Sequence, residues 1–392
     1  MSSPDITHLE ITAVNEVLQT SFLSIGPKIE AFEQTFAAYV SARYGIGVNS
    51  GTSGLHLCMV AAVKAHDIVI TTPFSFIASA NCILYERAIP LFVDVDPATG
   101  NIDPHLVRQV VEDIAEGRPG ANRWLPPALR DTEHSIDPAR LKAILPVHSF
   151  GQPADMDPIL DVANQYGLTV IEDACEAPGA TYKNRYVGTL SDAAVFAFYP
   201  NKQITTGEGG MIVTNNDAWN QLFRSLRNQG RDTFNAWLNH TRLGYNYRLD
   251  EMSAAIGLAQ LQRIEELLEN RSQVARWYNE RLSDVAYIQQ PSLAPTTTQM
   301  SWFVYVVRVL PPLMRNELMQ TLAEANIPSR PYFTPIHLQP FYRDTFGYQE
   351  GDFPVTEELG TISLALPFSG IMTEKQVDYV CEHVRSVLAV GQ

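Results

Sequence analysis

The sequence predicts an α/β fold with a mostly parallel sheet, and three features carry that prediction. Up to about residue 215, short apolar runs alternate with amphipathic stretches. Several of those runs are nearly continuous in Val, Ile, Leu and Phe, as strands are when both sheet faces are covered. The polar residues with chemical potential fall just after the apolar runs, where ligands bind in open α/β sheets.

Seven candidate strands follow in order: Tyr44–Val48, Ile68–Thr71, Pro90–Val95, Ala143–His148, Leu168–Glu172, Ala194–Phe198 and Gly210–Val213. Helical stretches lie between most of them, which implies parallel pairing. In one, Ile159, Val162, Ala163 and Tyr166 keep helical spacing, Asp157 is placed to cap, and Gly167 is placed to end the helix. The segment 115–138 is rich in Pro, Gly, Arg and Asp and reads as a long surface loop. From Glu251 one long helix is expected, with Leu261, Ile264 and Leu268 on a single face. A strand at Trp302–Val309 and a closing helix around 376–388 follow, so the chain divides near residue 250 into a large domain, 1–250, and a smaller C-terminal α/β domain, 251–392.

The chain has 392 residues, and 45 % hydrophobic with 18 % charged residues is ordinary for a soluble enzyme. A net charge of −15 argues against nucleic acid as a partner. The four cysteines, Cys58, Cys82, Cys175 and Cys381, lie far apart, so neither a zinc site nor a disulfide framework is expected and no metal is assigned. No signal peptide and no membrane span are expected, and the reading is a cytoplasmic protein.

Three constellations carry the chemistry. After the first strand, Asn49-Ser50-Gly51-Thr52-Ser53-Gly54 opens a helix, whose free N–H groups and positive dipole end suit a phosphate; a plain N-cap is the alternative. Asp173 ends an apolar strand, where a carboxylate can hold a pyridinium N–H, cap a helix or bind a metal. Lys202 lies between the strand Phe196-Ala197-Phe198 and the turn Thr205-Thr206-Gly207-Glu208-Gly209-Gly210. It is either a surface lysine or a partly desolvated amine able to form an imine. A phosphate cradle, a ring-nitrogen carboxylate and an imine lysine are the parts that pyridoxal 5′-phosphate (PLP) requires.

With these residues in place, the sequence resembles the DegT/StrS family of sugar aminotransferases, within PLP fold type I. Its marks are Asn49-Ser50-Gly51-Thr52-Ser53, Ile171-Glu172-Asp173-Ala174, Tyr199-Pro200-Asn201-Lys202 with the glycine-rich turn, and Gly244-Tyr245-Asn246-Tyr247-Arg248. The resemblance implies that Lys202 carries the Schiff base and shuttles the substrate proton, and that Asp173 binds the pyridinium nitrogen. It implies phosphate binding by Gly51, Thr52 and Ser53, and ring stacking by Phe76, which is otherwise a core aromatic. It implies that Asn246 reaches the phosphate of a neighbouring subunit, hence a homodimer with shared sites. Glu176 stands where many members have Gln near the cofactor's phenolic oxygen, and is similar to the GDP-perosamine synthase-like variant. Ala197 stands where many have a phosphate-binding Ser. Arg330, Tyr332 and His337 resemble family residues near the sugar, and Arg231 is placed to meet a nucleotide diphosphate. For His337 a structural hydrogen bond, and for Arg231 a solvated charge, are the alternatives.

The implied reaction moves an amino group from an amino acid, L-glutamate or glutamine, to a nucleotide-linked keto-sugar, with a 4-keto-6-deoxy sugar favoured. Three rivals remain at this stage. Amination of a keto-cyclitol uses the same machinery. A PLP-dependent sugar dehydratase has histidine in place of the lysine, against Lys202 here. A non-catalytic PLP-binding regulator does not need the full set of Lys202, Asp173 and the phosphate turn.

Overall fold

A computed structural model describes residues 3–130, 137–231 and 239–390. Helices α1 (His8–Leu18) and α2 (Pro27–Tyr39) precede β1 (Tyr44–Val48), which runs into α3 (Gly51–Ala62). The alternation continues with β2 (Ile68–Thr71), α4 (Ala78–Tyr85), β3 (Ile89–Phe92), α5 (Pro104–Ala115), β4 (Leu141–Ile144), α6 (Met156–Tyr166) and β5 (Thr169–Asp173). A short hairpin, β6 (Thr181–Tyr182) and β7 (Arg185–Tyr186), comes before β8 (Ala193–Ala197), β9 (Gly210–Thr214) and α7 (Asp217–Arg227). Seven strands form one sheet in the order β1-β9-β8-β5-β4-β2-β3, and β9 alone runs antiparallel to its neighbours.

Burial explains the continuous apolar runs. Ile68, Ile70, Ala194, Phe196, Met211 and Val213 enter one core, while Val69, Ala143, Val195 and Ile212 enter another. Successive side chains point to opposite sheet faces, so both sets must be apolar. Burial also explains two misplaced strand ends. The sequence extends β3 to Val95 and β4 to His148, but Val95 and Val147 are buried beyond the regular ladder and make only isolated bridges.

Two helical expectations change. Asp157 lies inside the first turn of α6, and Asp155 holds the cap position; Asp155 instead accepts the Tyr182 hydroxyl at 2.7 Å. Gly167 does end α6, at a φ of 66°. The expected long helix is two, α8 (Glu251–Gln262) and α9 (Ile264–Leu282), parted at Arg263, whose ψ of 11° is not helical. The loop expected at 115–138 contains short 3₁₀ turns at Ala121–Trp124 and Pro127–Leu129, and its residues 131–136 lie outside the described residues.

The remaining elements are β10 (Ile288–Gln289), β11 (Thr297–Gln299), β12 (Tyr305–Val309), α10 (Arg315–Glu324), β13 (Arg330–Pro331), α11 (Pro340–Phe346), α12 (Pro354–Ile362), β14 (Ser363–Leu366) and α13 (Glu374–Val390). A second, antiparallel sheet has the order β10-β12-β14-β13, while β11 joins the β6–β7 hairpin. Its core includes Val274, Tyr278, Tyr305, Leu364 and Val380. Ala254, Leu261, Ile264 and Leu268 pack instead into the core of the large sheet. Helix α9 therefore serves both cores. Among the described residues no helix is long and apolar enough to cross a membrane.

Candidate active site

The loops at the carboxyl ends of β1, β5 and β8 converge on a cavity of about 290 Å³. Its walls include Gly51, Thr52, Phe76, Asp173, Glu176, Lys202 and Tyr332, all singled out in the sequence.

The wall after β1 is the start of α3. Ser50 caps it in an extended conformation, and its hydroxyl oxygen accepts the Ser53 N–H at 3.0 Å. The first N–H groups of a helix have no intrahelical acceptor, so Gly51 and Thr52 offer donors at the positive dipole end. A Cβ on Gly51 would lie 2.8 Å from both Ala197 Cβ and Cys175 Sγ, so only glycine fits this approach. Ser53 is placed differently from Thr52. It is buried, its hydroxyl donates to Asn49 Oδ1 at 2.6 Å, and the lining hydroxyl is that of Ser50.

Asp173, at the end of β5, is buried. Ser79 Oγ donates to its Oδ2 at 2.7 Å, and the Cys175 N–H donates to its Oδ1 at 3.1 Å. Each carboxylate oxygen has two lone-pair sites, so the group is oriented while keeping capacity for another donor. Ser79 was not legible in the sequence, because only the packing of α4 against the sheet brings it to Asp173.

Lys202 Nζ lies 3.7 Å from Glu176 Oε1 and 3.8 Å from the centroid of the Phe303 ring. Glu176 Oε2 accepts the Phe150 N–H at 2.8 Å. Burial pushes the Glu176 carboxyl above its ordinary value, Lys202 and the Phe150 N–H oppose that rise, and Asp173 adds to it. Phe150 holds its N–H there from a left-handed conformation, φ 62°. The next residue, Gly151, has φ 92°, and a Cβ on it would lie 1.6 Å from the Ser301 carbonyl oxygen. Tyr332 is close enough for Glu176 to raise its hydroxyl pKa further, after burial has done most of that.

The cavity leaves out several residues singled out by resemblance. Asn246 is exposed, and its carbonyl accepts Asn49 Nδ2 at 3.5 Å. Arg231 bridges His240 through its backbone. Arg330 is exposed on β13 and donates to the Ser329 carbonyl at 2.9 Å. His337 is fully buried, bonded through Nε2 to Glu357 at 3.0 Å, and burial lowers its pKa. Phe76 lines the cavity with 64 % of its surface exposed, as a face open to a stacking ring must be.

These residues fit PLP. A buried carboxylate can face a ring nitrogen, a helix N-terminus can hold a phosphate, and an amine can attack a carbonyl carbon. Asn201 Oδ1, buried in the wall, has no hydrogen-bond partner among the described residues and is a further acceptor. Among the described residues no cluster of three or more His, Cys, Asp or Glu could hold a metal.

Residues 4–385 match the model of the DegT/DnrJ/EryC1/StrS aminotransferase family. GDP-perosamine synthase of Caulobacter vibrioides is 37 % identical, over 99 % of this chain and 98 % of that one. The GDP-perosamine synthase of Escherichia coli O157:H7 is 33 % identical, over 97 % of this chain and 96 % of its own. Among solved structures, DesV of S. venezuelae superposes with a TM-score of 0.84 at 32 % identity, covering 96 % of this chain and 94 % of DesV.

Proposed function

The chain belongs to the DegT/DnrJ/EryC1/StrS aminotransferase family and is a PLP-dependent aminotransferase of fold type I; from that premise we propose that it moves the amino group of L-glutamate to a nucleotide-linked 4-keto-6-deoxy sugar. The observation that carries the reading is the meeting of Lys202, Glu176 and Asp173 in one cavity beside the start of α3. Similarity to two GDP-perosamine synthases supports the sugar class.

When bound, PLP supplies an electron sink that stabilises negative charge at the substrate carbon bearing the amino group. The chain's own residues do the rest. Asp173, oriented by Ser79, accepts from the pyridine N–H and keeps that ring cationic. Gly51, Thr52 and Ser50 donate to the phosphate. Lys202 provides the amine and carries the proton to and from the reacting carbon. Glu176 holds a charge or a proton beside that amine, and Phe76 covers the ring. Asn246, outside its own chain's cavity, serves the phosphate of a second copy, so the working unit is a homodimer.

The test incubates purified holoenzyme and glutamate with a panel of nucleotide-linked 3-keto and 4-keto sugars, with mass spectrometry of the products. An amine from a 4-keto-6-deoxy sugar is expected; amination only of 3-keto sugars or a keto-cyclitol overturns the substrate class. Lys202→Ala should reduce turnover by at least about 10³-fold.

A further inference from the structure

Arg271 sits within α9 and is 3 % exposed, yet among the described residues its hydrogen-bond partners are all backbone carbonyls. Nη1 donates to the carbonyls of Trp302 and Phe303 at 3.2 and 3.1 Å. Nη2 donates to those of Lys202 and Asn201 at 2.8 and 3.4 Å. Among the described residues no carboxylate lies within ion-pair distance of it. Its carbon Cζ lies 5.7 Å from the centroid of the Phe368 ring. Burial lowers its pKa to about 10, which still leaves it cationic at neutral pH.

A buried cation without a carboxylate is costly, and packing alone does not require one. The carbonyls it holds say what the charge is for. Asn201 and Lys202 belong to the loop after β8, on the large sheet. Trp302 and Phe303 lead into β12, on the second sheet, and the Phe303 ring lies under the Lys202 amine. One planar fork thus grips the backbone of the nucleophile and the backbone of the ring that supports it. Gln203 braces the same joint from the next residue, donating to the carbonyls of Glu176 and Ser301 at 2.7 and 2.9 Å. Lysine cannot replace the fork, because a single ammonium lacks its fixed, divergent donors.

We propose that Arg271 is a positioning residue for the amino transfer: it clamps the Lys202 loop to the Trp302-Phe303 segment, so that the amine stays between Glu176 and the Phe303 ring. The proposal rests on Lys202 being the reacting amine. A misplacement on the order of 1 Å at a reacting group costs about 100-fold in rate.

The experiment compares wild-type holoenzyme with Arg271→Lys, Phe303→Leu and Tyr278→Phe. Tyr278→Phe is the control for stability, since it removes a buried hydrogen bond to the Pro367 carbonyl, 2.7 Å long, between two residues that do not line the cavity. Melting temperature, kcat and KM for glutamate, and the pH midpoint of the bound cofactor's visible absorbance are measured for each. Arg271→Lys should lower kcat about 10- to 100-fold with KM within about threefold. Its absorbance midpoint should fall, because the protonated nitrogen loses Glu176 and the ring as partners. Phe303→Leu keeps the clamp, removes the ring and should shift the midpoint the same way; it decides the matter if Arg271→Lys does not fold. Tyr278→Phe should lower only the melting temperature. Arg271→Lys matching the control, or an unshifted midpoint in Phe303→Leu when Arg271→Lys is unfolded, overturns the proposal. Borohydride reduction of wild-type holoenzyme separates the two ideas. Cofactor fixed on a lysine other than Lys202 removes the premise, whereas cofactor fixed on Lys202 with normal Arg271→Lys kinetics rejects the clamp alone.

Discussion

Burial pushes the Glu176 carboxyl above its ordinary pKa, although Lys202 lies beside it. A carboxyl whose pKa is raised on folding binds a proton more tightly in the native state. Stability then falls as pH rises from the unfolded value, about 4.5, through the folded one. Glu176→Gln removes that titration and keeps an oxygen for the Phe150 N–H. The variant apoprotein should therefore gain in melting temperature relative to wild type as pH increases across this window; a constant gap refutes the assignment. In the holoenzyme, Glu176→Gln should retain activity within about tenfold, whereas Glu176→Ala should weaken cofactor binding about tenfold or more. An inactive Glu176→Gln with cofactor normally bound would assign Glu176 a direct acid–base role on the sugar.

Helix α1 shows what one element gains from a cap that also reaches outward. The Thr7 side chain accepts the Leu9 N–H, while Glu10 accepts the Thr7 N–H at 2.6 Å and the Thr7 hydroxyl at 2.7 Å. Glu10 also accepts Gln260 Nε2 at 2.9 Å, which joins α1 to α8. Burial by itself raises the Glu10 pKa, but hydrogen bonds from Thr7 and Gln260 outweigh it and hold the value at about 2. A carboxylate with a lowered pKa stabilises above its unfolded value, and that contribution is lost as pH falls through the folded one. Glu10→Gln should cost on the order of 1–2 kcal/mol at pH 7, with the gap closing between about pH 4.5 and 2. Urea melts of both proteins across that range check it, and a gap that does not close rejects the charge as the cause.

Across the whole molecule, α9 links two cores and carries Arg271 at the joint between them. The apolar side chains of Phe22, Leu23 and Ile25, which follow α1, are exposed; in the proposed homodimer a second copy would be available to cover them. If Asn246 serves a partner's site, mixing Lys202→Ala with Asn246→Ala chains regenerates one intact site in every mixed dimer. Random exchange should then restore roughly a quarter of wild-type activity. Mixed dimers, verified by mass, that recover nothing beyond the sum of the parents refute shared sites, as does a fully active monomer.

The α/β class, the seven strands and the meeting of Asp173 with Lys202 were legible in the sequence. Each rests on local chemistry: apolar runs that must be covered on two faces, and polar residues that follow strands. Strand ends were less legible, since Val95 and Val147 are buried without regular pairing and burial selects the same residue types as pairing. Ser79, Phe303 and Arg271 were invisible. Their roles depend on contacts with residues 94, 101 and 69 positions away, respectively. His337, conspicuous as a loop histidine, is bonded by the tertiary structure to Glu357 and does not line the cavity. Local sequence thus determined which chemistry the chain carries. Only packing decided which side chains orient it, because long-range contacts are set by how elements meet and not by any spacing along the chain.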